Sequence, residues 1–100
     1  MADVIEWVLN EVVAAVREID VQCGREPPHL DESVIPLGMG GFDSLNCLEA
    51  AVLLSDRLGV TVEHRVFATS RGIPISCAAI AREIVAQHGA ALKPLAGATL

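Results

Sequence analysis

A chain of 100 residues is the size of one domain, enough to bury one hydrophobic core and too short for two. Hydrophobic residues make up 52% of it, yet 14 of them are alanine and only three residues are aromatic, a small aliphatic repertoire that favours close-packed helices over a β-sandwich. Thirteen acidic against seven basic side chains leave a formal charge of -6, the wrong sign for gripping a phosphate backbone, so nucleic acid is not an expected partner.

No uninterrupted apolar run exceeds the five residues of Ala50 to Leu54, against the roughly 20 that a membrane-spanning helix needs, so no membrane is expected either. Asp3 and Glu6 stand where an export signal would carry Lys or Arg, which points to the cytoplasm. Cys23, Cys47 and Cys77 are odd in number and form no C-x-x-C pair. In a reducing compartment they read as free thiols and small hydrophobes.

Ile5, Val8, Leu9, Val12, Val16 and Ile19 fall at the 3-and-4 spacing of one helical face, predicting a first helix from about Asp3 to Ile19. Asp3 and Glu6 have the spacing of a capping box at its start. From Asp20 to Phe42 the chain carries Gly24, Pro27, Pro28, Pro36, Gly38, Gly40 and Gly41, which forbid a long regular element. A loop of this length must be functional or pinned to the core, and Val34, Ile35, Leu37, Met39 and Phe42 are the candidate pins.

Asp43 as N-cap, good helix formers through Leu58 and Gly59 as a stop predict the second helix. Cys47, Leu48, Ala51, Leu54 and Leu58 should face the core, with Asn46, Glu49, Ser55 and Asp56 outward and Leu45, Val52 and Leu53 at or beyond the edge of the stripe. Val60 to Val62 alternates too briefly for a sheet, and Glu63 to Ala68 predicts one or two helical turns. Thr69 to Pro74 reads as a turn. Ser76 then caps a last helix to about Gln87, with Ile80, Ile84 and Val85 as its stripe. The expected domain is residues 1–89, all-α, with three main helices, one short helix and a long first loop; residues 90–100, with Pro94 and Gly97, form an expected flexible tail.

Self-contained catalysis is not signalled. The chain has no G-x-S-x-G elbow, P-loop or H-E-x-x-H. His29, His64 and His88 are far apart and stand beside no nucleophile, and no His or Lys lies within twelve residues of Ser44. Cys23 and His29 supply two metal ligands where zinc usually needs three or four, so no metal site is expected. The informative stretch runs from Gly40 to Leu45, where the loop meets the second helix. With Asp43 as the cap, Ser44 is the first helical residue and its hydroxyl lies beside the unpaired amides of the first turn. A phosphate ester on Ser44 would sit where the helix dipole favours an anion by about 0.3–1 kcal/mol.

Asp43, Ser44 and Leu45 match the Asp-Ser-Leu signature of the acyl and peptidyl carrier proteins, and Leu37, Gly38, Gly41 and Phe42 resemble the family's approach to it. The resemblance spans about residues 3 to 88, including the helix lengths and a short helix near Val66 and Phe67. It implies a four-helix acyl-carrier-like bundle that does no chemistry itself. Ser44 would receive covalent 4'-phosphopantetheine from a transferase, and the arm's thiol would hold an acyl group as a thioester. Asp43 and Leu45 flank the attachment point. Leu45, Glu49, Val52 and Asp56 are implied contacts for partner enzymes: the phosphopantetheinyl transferase, an acyl-loading enzyme, and a ketosynthase or other acyl-processing enzymes. A monomer is expected.

Residues 1 to 63 hold 12 acids and three bases, whereas residues 64 to 100 hold one acid and four bases, so the domain should be polar in charge and steer basic patches toward the second helix. Asn46, Ser55 and Arg57 replace acids common on that helix in fatty-acid carriers. The turn from Ala68 to Ile75 is longer than in most polyketide and nonribosomal-peptide carriers. The first feature leans toward a specialised pathway; the longer turn departs from the polyketide and nonribosomal-peptide pattern that Val66 and Phe67 resemble. The leading expectation is a carrier of polyketide-type or related secondary metabolism, with an aminoacyl or peptidyl carrier and an unloaded helical interaction module as the alternatives.

Overall fold

The computed structural model describes residues 2–25 and 29–92. Three α-helices, α1 (Ala2–Gln22), α2 (Ser44–Leu58) and α3 (Cys77–His88), are joined by 3-10 turns at Pro36–Gly38 and His64–Phe67, and a third such turn, Gly89–Ala91, follows α3. Among the described residues there is no strand, only an isolated antiparallel bridge between Ala68 and Pro74. No helix among them is long and apolar enough to cross a membrane.

Helix α1 lies against both α2 and α3, while the His64–Phe67 turn packs on α2 and α3. Its apolar stripe is the reason: Val8, Val12, Ala15, Val16 and Ile19 are buried, and their 3-and-4 spacing lines one side of the helix. The helix is longer than its periodicity predicts at both ends. It already includes Ala2 and Asp3, so Asp3 lies within the helix and not at its cap. At the other end it runs on through Asp20 to Gln22, because Asp20 is buried and not the first residue of a loop.

The connection from α1 to α2 is pinned as its composition requires. Leu30, Pro36 and Phe42 are buried, and Val34, Leu37 and Met39 pack against the core, whereas Ile35 stays exposed. Phe42 meets Phe67 with ring centroids 6.2 Å apart. The loop also completes α3: Cys77 N–H donates to the Val34 carbonyl at 2.8 Å and Ala78 N–H to that of Glu32 at 2.9 Å, while Ser76 Oγ accepts from Ala79 N–H at 3.2 Å. First-turn amides with no partner inside their helix are thus satisfied by a segment more than 40 residues earlier. Pro27 and Pro28 lie outside the described residues.

Helix α2 begins and ends where its caps predict, with Gly59 in the left-handed region at φ 72°. Its buried stripe is Cys47, Ala50, Ala51, Leu54 and Leu58. Leu48 is not part of it. It lies about 100° round the helix from Cys47, and with Ala50 taking the inward position it is 48% exposed. Asn46, expected outside, is buried at 5% exposure. Ser55 is half-buried; its hydroxyl accepts from Val62 N–H and donates to the Ala51 carbonyl, each at 2.8 Å, which fastens the segment after α2 to the helix.

The Thr69–Pro74 turn is closed by Gly72 N–H to the Thr69 carbonyl and Thr69 N–H to the Ile73 carbonyl, both at 2.8 Å. Past α3 the chain stays packed: Leu92 is buried, beyond the expected boundary at residue 89. The remainder of the expected tail, residues 93–100, lies outside the described residues. Leu54 is fully buried, so Leu54→Ala should lower the unfolding free energy by about 3 kcal/mol in urea titrations. Val52→Ala, on the exposed side of the same helix, should stay within about 0.5 kcal/mol of wild type.

Candidate functional site

The start of α2 is built by reciprocal hydrogen bonds. Asp43 Oδ1 accepts from Asn46 N–H at 3.1 Å, and Asn46 Oδ1 accepts from Asp43 N–H at 3.2 Å, a capping box with Asn in place of the usual Glu or Gln. Asp43 is extended and Ser44 is the first residue of the helix. Asp43, Ser44 and Leu45 are all exposed. Asn46 and Cys47 amides are taken by Asp43, while among the described residues the Ser44 and Leu45 amides have no backbone or side-chain acceptor. α3 differs, since its first three amides are all engaged.

Ser44 lines a cleft of about 870 Å³ between the start of α2, the His64–Phe67 turn and the outer side of α3. Leu37, Cys47, Val66 and Ile75 give it an apolar floor; His64, Arg65, Thr69, Glu83 and Gln87 contribute its polar walls. His64 therefore shares a cleft with Ser44, although no hydrogen bond joins the two among the described residues. His29 is instead on the surface loop, 3.5 Å from Asp31.

Of the expected partner contacts, Leu45 and Val52 are 61% and 65% exposed and stand with Leu48 on one outward face of α2. Glu49 and Asp56 are exposed beside them. Glu49 accepts from Asn46 Nδ2 at 3.0 Å. A shallower groove of about 580 Å³ runs from Leu48 and Val52 to Thr61 and Arg65. Arg57 turns away from this face: it bridges Glu11 at 3.1 Å and Glu18 at 3.0 Å on α1, and these carboxylates, Glu11 first, raise its pKa above the ordinary value.

Two side chains that meet at the start of α2 were not legible in the sequence. Asp20 is 1% exposed and is held by Arg25, whose Nε and Nη2 each lie 2.9 Å from Asp20 Oδ1. Arg25 Nη2 also donates to Asn46 Oδ1 at 3.1 Å. The hydrogen bond to Asp20 keeps the guanidinium pKa above its ordinary value. The only hint was an Asp and an Arg five residues apart across Gly24 at a helix end, a pattern too common to read.

Cys47 and Cys77 are buried, and loss of hydration pushes both thiols up to about 11, whereas Cys23 is exposed. Among the described residues no three His, Cys, Asp or Glu side chains are grouped to hold a metal ion. Comparison with models of known protein families, with curated proteins and with solved structures finds no match.

Three outcomes follow from these environments. At pH 8 a thiol reagent should modify Cys23 rapidly and Cys47 and Cys77 only after denaturant is added. Both buried thiols titrate higher folded than unfolded, so their contribution to stability is complete below pH 9.0 and is lost as pH rises from 9.0 toward about 11; denaturation midpoints across that window check it. Arg25→Ala leaves the buried Asp20 carboxyl without its partner and should lower the midpoint of chemical denaturation.

Proposed function

We propose that this chain is a carrier: Ser44 takes 4'-phosphopantetheine, and the arm's thiol holds an acyl group as a thioester for presentation to separate enzymes. The observation that carries this reading is the setting of Ser44, an exposed serine that opens α2 inside a capping box, with its own amide and that of Leu45 uncommitted, and that lines a cleft. A phosphodiester on its hydroxyl would lie at the positive end of the helix dipole. The Asp-Ser-Leu match at Asp43 to Leu45 and the succession of three α-helices with a short turn at Val66 and Phe67 support the same reading. On it the fold is an acyl-carrier-like bundle.

The work of the chain is then presentation. The outward face of α2 sets Leu45, Leu48 and Val52 beside Glu49 and Asp56, an apolar strip with an acidic border that suits enzymes carrying a basic patch around an apolar docking point. The transferase, a loading enzyme and a ketosynthase or other acyl-processing enzyme are the proposed partners, in polyketide-type or related secondary metabolism. The apolar floor and polar walls of the cleft suit a short functionalised acyl group. The same exposed strip on α2 is what favours the second reading, a helical interaction module that never carries an arm.

Coexpression with a promiscuous phosphopantetheinyl transferase separates the two. The intact mass should rise by one phosphopantetheine, and Ser44→Ala should abolish the gain while leaving the circular dichroism spectrum unchanged. A wild-type chain that stays unmodified overturns the carrier reading in favour of the interaction module.

A further inference from the structure

Asp20 is the single charged side chain in the buried core among the described residues, and a carboxylate removed from water needs a compelling partner. Its partner does two jobs. Arg25 binds Asp20 Oδ1 through Nε and Nη2, each at 2.9 Å, and the same Nη2 reaches Asn46 Oδ1 at 3.1 Å. That amide oxygen also accepts from Asp43 N–H. The guanidinium therefore ends on an atom of the capping box, and ties the last turns of α1 to the residue that precedes Ser44.

The contact also orients the Asn46 amide. With Oδ1 facing two donors and Nδ2 donating to Glu49 at 3.0 Å, a flipped amide would set its NH2 against the guanidinium and the Asp43 amide, and its oxygen against the Glu49 carboxylate. The chain accommodates the guanidinium at a further point. Gly41, at φ 87°, lies under the Arg25 stem, and a Cβ there would stand 3.0 Å from Arg25 Cδ. Both the positive φ and this approach favour glycine two residues before the cap.

We infer that Arg25 is a positioning residue for Ser44: through Asn46 it holds the Gly41–Ser44 turn in the one geometry in which the serine is offered to the modifying enzyme. Its effect on loading rests on the carrier reading above; its effect on the first turn of α2 does not. A lysine cannot replace it, because a single ammonium lacks the planar fork that spans Asp20 and Asn46 together.

Removing Arg25 alone leaves Asp20 buried without its partner, so the informative variant is the pair Asp20→Leu with Arg25→Met, in which apolar side chains replace the ion pair and the fold is retained. In this variant amide hydrogen exchange at Asn46 and Cys47 should quicken while exchange at Leu54 and Ile80 stays at the wild-type rate, a pattern that uniform destabilisation does not produce. The kcat/KM for phosphopantetheine transfer to Ser44 should fall about tenfold, and Arg25→Lys should fall between the two. Wild-type exchange at Asn46 and Cys47 in the double variant overturns the structural half. An unchanged kcat/KM beside quickened exchange overturns the positioning role. A wild-type chain that accepts no arm removes the carrier reading itself, and the exchange measurement alone then decides whether Arg25 holds the turn.

Discussion

The paired hydrogen bonds between Asp43 and Asn46 decide where α2 begins, and with it where Ser44 stands. A helix start needs acceptors for its first amides. Here Asp43 satisfies those of Asn46 and Cys47 and leaves those of Ser44 and Leu45 open, so the polarity of the turn is concentrated beside one hydroxyl. Phe42, packed on Phe67, anchors the approach from the apolar side, and Arg25 anchors it from the polar side. Ser44 is thus exposed on a rigid step, not carried on a free loop.

The same economy governs charge. The first 63 residues hold three bases, and two of them, Arg25 and Arg57, are spent on α1 acids. Neither remains to neutralise the outward face of α2, where Glu49 and Asp56 border the exposed Leu45, Leu48 and Val52. An ion pair between partly exposed side chains contributes little to stability, so the Arg57 bridges matter more for removing positive charge from that face than for holding α1 to α2. The helices are held by the aliphatic core, which Val8, Val12, Val16, Leu54, Ile80 and Ile84 fill without exposed area.

The long connection between α1 and α2 earns its order by completing α3. Its carbonyls at Glu32 and Val34 take the amides that open that helix, and its apolar residues pack on the core, with Phe42 meeting Phe67 of the His64–Phe67 turn. The start of the fold's third helix is therefore tied to a segment distant in the chain, and Leu92 is buried just past its end.

Local chemistry alone determined the positions of α2 and α3, because their signals are caps that act within a few residues: Asp43 and Gly59 for one, Ser76 for the other. It also determined that Ser44 opens a helix. What it left undetermined were side chains whose environment depends on distant partners. Asn46 looks outward by helical period, yet it is buried because Arg25, 21 residues earlier, closes over its amide; Asp20 looks like the first loop residue, yet it continues α1 because the same guanidinium neutralises it. Leu48 fits the apolar stripe by spacing and is turned to solvent because the small Ala50 and Ala51 bring α1 and the core to the neighbouring side of the helix. Periodicity states which residues share a face; only the packing of one helix against another decides which face is inside.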